Sequence, residues 1–240
     1  MSALARIGPL ARVLARPGGL AAAARWRPFS ITAFELARAL RAQGLAPALV
    51  VDGGANVGQF ARAMAETFPE ARVVSFEPLP DVAARFRAHL GGEPRVRLVE
   101  AALGAEAGTL AFGRNAYSLA SSALPVAAGD GLVQPHTETV EVPVTTLDTA
   151  LADTDVPPSA LLKLDLQGFE LEALRGAGAT LGRVGHVLLE TALRPSYEGE
   201  PSFEELLDHL RAHGFRFLRP VDVLRDADGE VVQMDALFGR

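Results

Sequence analysis

Leu49 to Phe60 reads LVVDGGANVGQF. An apolar run ends on a carboxylate, three glycines fall within six residues, and a helical pattern begins at once. The run ALVVD predicts a buried strand over 48–52, and VGQFARAMAETF predicts a helix over 57–68 that Pro69 stops. Strand, tight bend and helix together aim backbone N–H groups and a helix N-terminus at the carboxyl edge of a sheet. In doubly wound folds that crevice binds ligands. Gly53 and Gly54 give the bend access to positive φ and leave no Cβ against a ligand, while Gly58 lets helix and strand pack closely. A glycine-rich turn is shared by several nucleotide folds, so its company decides the reading.

The same rhythm runs outward. ARVVSFEP (71–78) is a second strand, PDVAARFRAHLGG (80–92) a helix closed by glycine, and VRLVEAAL (96–103) a third strand. It breaks at GTLAFG (108–113) and ETVEVPVTTLD (138–148), which read as a paired antiparallel ribbon inserted at about 108–146. Between them, residues 114–137 are rich in Ser, Gly, Pro and Ala with no period, the mark of a functional or mobile loop. ALLKLDLQG (160–168) restores the pattern, followed by a helix to about 181, the strand GHVLLET (185–191) and the helix SFEELLDHLRAHG (202–214). FRFLRPV (215–221) and EVVQMDALFG (230–239) flank DADG and predict an antiparallel finish. The fold class is therefore α/β, a doubly wound, mostly parallel, Rossmann-like sheet with an antiparallel C-terminal strand. With no repeat and no second core, one domain over 45–240 follows an N-terminal helical extension over 1–44, which contains ITAFELARALRAQG.

Composition narrows the partners. The chain has 240 residues, is 49% hydrophobic and 22% charged, and carries a net charge of −6, so bulk attraction to nucleic acid is not expected. It has no cysteine, which removes disulfides, thiolate metal sites and thiol nucleophiles together. No apolar run reaches the ~18 residues of a membrane span. Arg6, Arg12, Arg16, Arg25 and Arg27 precede the first acid, Glu35, a profile shared by transit peptides and basic surface helices. The arginine habit runs through the whole chain, where Lys163 is the only lysine. A plain helical extension on a cytoplasmic protein is thus the simpler reading, with an organellar address the alternative. The sequence leaves self-association into a homo-oligomer open.

Two acids give the crevice its chemistry. Asp52 ends the first strand and Glu77 the second. An acid at the end of a second strand commonly accepts hydrogen bonds from both ribose hydroxyls of an adenosine. A second carboxylate facing the same crevice is unfriendly to pyrophosphate but suits an ammonium and a sulfonium, as in S-adenosylmethionine. An NAD-dependent oxidoreductase or epimerase calls for a cleaner Gly-x-Gly-x-x-Gly turn and a Tyr-x-x-x-Lys pair, and neither Tyr117 nor Tyr197 has a lysine nearby. An inactive cofactor-binding module is the third reading.

DGGANVGQF, SFEPLP, AALG, VPVTTLD, LLKLDLQGFELEALRGA, VLLE and the terminal LF together resemble the FkbM-type methyltransferases in order and spacing, over roughly residues 45–240. KLDLQGFELEALRGA is the most specific block; Gly53 departs slightly, since the family often carries an apolar residue there. The resemblance implies a seven-stranded class I methyltransferase fold using S-adenosylmethionine and a hydroxyl acceptor on a sugar or secondary metabolite. It implies a cofactor floor of Asp52, Gly53, Gly54, Ala55, Asn56 and Gly58, Glu77 with Pro78 at the ribose, and Ala101 and Ala102 against adenine. Ser121 and Ser122 fall in the loop where the family often shows serines near substrate or cofactor.

Methyl transfer to an alcohol needs an aligned nucleophile and something to take its proton. Asp165 and Glu190 sit at the ends of the fourth and fifth parallel strands and are the candidates. They could instead hold Mg2+, a hard cation that wants oxygen ligands. Lys163, Asp165 and Gln167 alternate and so share one strand face, with an ion pair between Lys163 and Asp165 as the structural alternative. His136, in the inserted loop, is a candidate mobile base, and Arg194 and Tyr197 could line an acceptor pocket. Glu170 opens a helix, where an acid complements the dipole.

Overall fold

A computed structural model describes residues 13–127 and 133–240 of the chain. The opening run forms β1 (Leu49–Gly53), buried along its whole length. Its neighbours are β2 (Arg72–Phe76) and β7 (Leu161–Leu164), both parallel to it. β3 (Val96–Val99) lies beyond β2, and β8 (His186–Ala192) beyond β7. β10 (Val231–Gly239) runs antiparallel to β8, and β9 (Arg216–Arg225) pairs antiparallel with β10 at the edge. The seven-stranded order is β3-β2-β1-β7-β8-β10-β9, so β10 is the one strand that opposes the rest.

Alternation of side chains along central strands serves two helical layers. Leu49, Val51, Leu162, Leu164, Val187 and Leu189 enter one core, which the helix Phe203–Ala212 covers with Leu206 and Leu210. Val50, Leu161, Leu188 and Leu237 enter the other with Phe60 and Met64 from the helix Gln59–Thr67. Ala33, Leu36, Ala37 and Leu40 of the helix Ile31–Ala42 join that second core, and Ser30 caps the helix by accepting from Ala33 N. The segment read as an extension therefore packs on the sheet from Ile31 onward. Arg6 and Arg12 of the basic profile lie outside the described residues.

The inserted ribbon exists as β5 (Gly108–Arg114) paired antiparallel with β6 (Glu138–Thr145). A third strand completes it. The expected strand over 96–103 breaks at Glu100, and Ala102–Leu103 (β4) leaves the large sheet to pair parallel with β6. Phe112, Val140 and Val142 then close over Val57, Leu79 and Val82, roofing the carboxyl edge of β1 and β2. Two further expectations are corrected in detail. The strand over 160–168 stops at Leu164, because Gln167 and Gly168 adopt left-handed φ of 55° and 94°. The helix after it is two pieces, Glu170–Arg175 and Gly178–Leu181. Among the described residues no helix is long and apolar enough to cross a membrane.

Of the two glycines at the bend, only Gly54 has positive φ, at 76°. A Cβ there would lie 1.9 Å from the carbonyl oxygen of Asp165, a backbone atom that cannot step aside. Gly53 belongs to β1 and is tight for another reason: a Cβ would meet Leu164 Cδ2 at 2.7 Å. Gly54→Ala combines left-handed strain with overpacking, and we expect a loss of about 2 kcal/mol or more. In a chain of this length that lowers the thermal midpoint by ~4–8 °C in a calorimetric scan.

Glu170 is buried at the start of its helix and accepts from Leu166 N at 2.6 Å. Burial, more than any neighbour, pushes its acid up to about 8 from 4.5. A folded-state value above the unfolded one means the native chain holds a proton that the unfolded chain has released between those values. Its contribution therefore favours folding at low pH and is lost as pH rises from 4.5 toward 8. Glu170→Gln should flatten that decline, seen as a smaller fall in thermal midpoint between pH 5 and pH 8 than in the parent chain.

Candidate active site

Strand register brings the first group of polar side chains together. Asp52 stands opposite Ser75 on one side and Lys163 on the other, all buried. Lys163 Nζ lies 3.2 Å from Asp52 Oδ1 and 3.6 Å from Asp165 Oδ2, and donates to the carbonyls of Gly53 at 3.1 Å and Gly54 at 3.3 Å. Ser75 Oγ donates to Asp52 Oδ2 at 3.2 Å. Burial works against the Lys163 ammonium, but the charges of Asp52 and Asp165 outweigh it and hold its pKa above the ordinary value. Asp52 is pushed up by burial, opposed by Lys163. The ammonium is thus committed to the bend: it ties two carbonyls of the glycine turn to two strand ends.

Above this layer lie two adjoining hollows that share Gly54, Asn56, Leu119, Asp165 and Gln167. The first contains about 590 Å³ of space counting its mouth, and its walls are Phe76, Leu79, Leu103, Phe112 and Phe169 with Ala101 and Ala102. It has two carboxylates, Asp165 at the border with the second hollow and Glu77 within. Glu77 Oε2 accepts from Asn56 N at 3.0 Å and Oε1 from Leu79 N at 2.9 Å, so the group is clamped by the two turns that follow β1 and β2. Burial pushes Glu77 up to about 7, opposed by these two N–H donors. Asn56 holds φ of 48° and donates from Nδ2 to Ser118 Oγ at 3.1 Å, linking the bend to the loop above. An apolar slot with Glu77 clamped in its wall fits an adenosine: a flat ring between aliphatic and aromatic walls, and a vicinal diol at that acid.

The second hollow is polar at its base. Lys163, Asp165, Gln167, Glu190 and Asp235 line it, with Ser30, Thr32 and Leu36 on the N-terminal helix side and Tyr117 at its rim. Asp235 stands directly opposite Glu190 in the β8–β10 pairing. Burial, then Asp165, pushes Asp235 up to about 7. Glu190 is pushed well above the carboxylate range by burial first, then by the charge of Asp165 and a hydrogen bond with it. Like charges directly across a strand pair are costly, and a bound proton relieves them.

The residues singled out from sequence are thus placed as follows. Gly54, Asn56, Glu77, Pro78, Ala101, Ala102 and Asp165 line the first hollow, as does Ser121. Ala55 lines the second with Lys163, Asp165 and Glu190. Asp52 and Gly53 sit beneath the floor, and Gly58 starts the helix at φ 94° against Leu90 and Phe86. Ser122 is buried behind the wall, its hydroxyl donating to Gln167 O at 2.6 Å. His136 lines neither hollow: its ring seats on Gly113, where a Cβ would fall 1.8 Å away, and stacks 6.4 Å from Tyr197. Arg194 pairs with Asp226, away from both hollows. Among the described residues no group of three or more His, Asp or Glu is disposed to hold a metal ion. The Asp165–Glu190 pair considered for Mg2+ is bridged by the Gln167 amide.

Sequence reasoning missed Asp235, Phe112, Leu119 and the helix residues from Ser30 to Leu36. Asp235 alone carried a signal, as the lone acid of the strand Val231–Gly239.

The methyltransferase FkbM domain matches residues 52–217. The chain is 27% identical over 173 residues to the 2-O-methyltransferase NoeI of Sinorhizobium fredii, covering 68% of this chain and 70% of that protein. It is 27% identical over 212 residues to the AMB antimetabolite synthetase AmbE of Pseudomonas aeruginosa, of which the match covers 10%. Among solved structures, Aeropyrum pernix fibrillarin, which holds S-adenosylmethionine, is 12% identical with a TM-score of 0.49, covering 85% of this chain and 76% of that one. A TehB-like S-adenosylmethionine-dependent methyltransferase from Corynebacterium glutamicum is 13% identical with a TM-score of 0.42, covering 86% and 87%. The match across residues 52–217, from the end of β1 into β9, places this chain in the FkbM family of methyltransferases.

Proposed function

We propose that the chain transfers the methyl group of S-adenosylmethionine to a hydroxyl on a sugar or secondary-metabolite acceptor, with Asp165 taking the proton. The observation that carries this reading is the position of Asp165, a residue that lines both hollows at once. NoeI, a relative named as a 2-O-methyltransferase, supports oxygen as the nucleophile.

Glu77 would accept from the ribose hydroxyls while Phe76, Leu79 and Phe112 exclude water from the base. S-adenosylmethionine supplies a methyl group already activated by a positive sulfur. The protein's share is then alignment and proton removal. The bound donor would give its methyl carbon to the acceptor oxygen and keep the carbon–sulfur electron pair on sulfur, while Asp165 would take the hydroxyl proton. The carboxylates at the base of the second hollow favour a donor that is itself cationic. Lys163 stays outside the proton's path, because its ammonium is tied to Asp52 and two carbonyls.

Two variants separate binding from chemistry. Glu77→Ala should weaken S-adenosylmethionine binding at least tenfold, about 1.4 kcal/mol, in calorimetry. Asp165→Asn should bind it within about threefold of the parent chain. In a screen of glycosides and hydroxylated metabolites scored by adenosylhomocysteine release, it should turn over about 100-fold more slowly or worse. Asp165→Asn turning over at the parental rate would remove the base assignment, and loss of no affinity in Glu77→Ala would remove the ribose assignment.

A further inference from the structure

The chain bends sharply after Asp165, and the bend is held at Gln167. Its φ of 55° is left-handed, which costs a residue with a side chain about 1 kcal/mol or more. Surrounding groups enforce it. Ser122 Oγ donates to Gln167 O at 2.6 Å and accepts from Leu124 N at 2.9 Å. Gly168 follows at φ 94°, tucked where a Cβ would already press Leu124 at 3.1 Å.

The strained backbone turns the side chain between the carboxylates. Gln167 Nε2 lies 2.8 Å from Asp165 Oδ1 and 2.6 Å from Glu190 Oε2. A primary amide has two N–H donors, and here each meets an acid. At the other end, the Tyr197 hydroxyl donates to Gln167 Oε1 at 2.9 Å, with Ala120 O also in reach at 3.1 Å. Turning the amide over would set its oxygen against both acids and its nitrogen against the phenol, so the network selects one orientation. Tyr197 is itself buried, and its backbone N–H and that of Ser196 donate to Glu200 Oε2 at 3.1 and 2.7 Å.

We propose that Gln167, locked by Tyr197, is a positioning residue that holds Asp165 and Glu190 in one arrangement where the two hollows meet. The role rests on the assignment of Asp165 as the proton acceptor. Its chemistry explains the residue type. Two acids packed this closely, Glu190 pushed up by burial and then by Asp165, need one arrangement, and hydrogen bonds from a single donor group hold it. An arginine or lysine could do so too, but would place a positive charge beside a sulfonium. A neutral amide organises the acids without repelling the donor.

The test uses the full chain with 13C-labelled aspartate and glutamate carboxyls, read by NMR and assigned through Asp165→Asn and Glu190→Gln. Gln167→Met keeps the length and removes the donors; Tyr197→Phe removes only the lock. We expect the Asp165 and Glu190 signals to broaden or split in Gln167→Met and, more weakly, in Tyr197→Phe. S-adenosylmethionine affinity should stay within about threefold in Tyr197→Phe, whose side chain lies outside both hollows. The double variant should be no worse than Gln167→Met alone, because both act through one amide. Carboxyl signals unchanged from the parent chain in both variants would overturn the positioning role and leave the base assignment standing. Should Gln167→Met fail to fold, Tyr197→Phe decides alone. An Asp165→Asn chain with parental turnover removes the base beneath the proposal, whatever the carboxyl signals show.

Discussion

The buried ammonium of Lys163 is the contact on which the site is built. It sits between the ends of β1 and β7, and its ligands are Asp52, Asp165 and the carbonyls of Gly53 and Gly54. Removing either partner of such a pair leaves a buried charge uncompensated, at a typical cost of ~3–5 kcal/mol. The carbonyls matter as much as the carboxylates. A bend that lacks side chains at Gly53 and Gly54 has few groups of its own to fix its course, and the ammonium supplies that fixing from the neighbouring strand. The Phe60 ring, 5.4 Å from Nζ, closes the remaining side.

From that anchor the site grows outward in three steps. The bend sets Asn56, whose N–H clamps Glu77 and whose side chain reaches Ser118 in the loop above. The end of β7 sets Asp165, which Gln167 then ties to Glu190. The inserted three-stranded sheet supplies the apolar roof over Val57 and Leu79. Charged groups concentrate at this edge because the register of parallel strands repeats the same face: Asp52, Lys163 and Glu190 each stand two positions after a residue of one core, Val50, Leu161 and Leu188. Burial at this edge, more than the neighbouring acids, pushes Glu77 and Asp235 up to about 7.

Much of this was legible in the sequence because it depends on local pattern. Alternating strands and helices, the bend after Asp52, and acids at strand ends follow from neighbours along the chain. What was illegible depends on distant pairing. Asp235 reaches the second hollow only because β10 inserts antiparallel between β8 and β9, which places it opposite Glu190. Phe112 and Leu119 line a wall only once the ribbon folds back over the edge. The direction of Asp52 was equally hidden. Its position at the end of β1 suggested a crevice-facing acid, and register with Lys163 pairs and buries it below the two hollows.

Lys163 is the only lysine among these 240 residues, and it is buried. Every other permanently positive side chain is an arginine. Reagents and enzymes that seek a side-chain amine therefore find no target on the folded surface: acylating labels, aldehyde cross-linkers, acetyl and ubiquitin transfer. Should one of them reach Nζ, neutralising it would unmake the floor of the site, so acylation at that position would report the opening of the fold rather than tag its exterior.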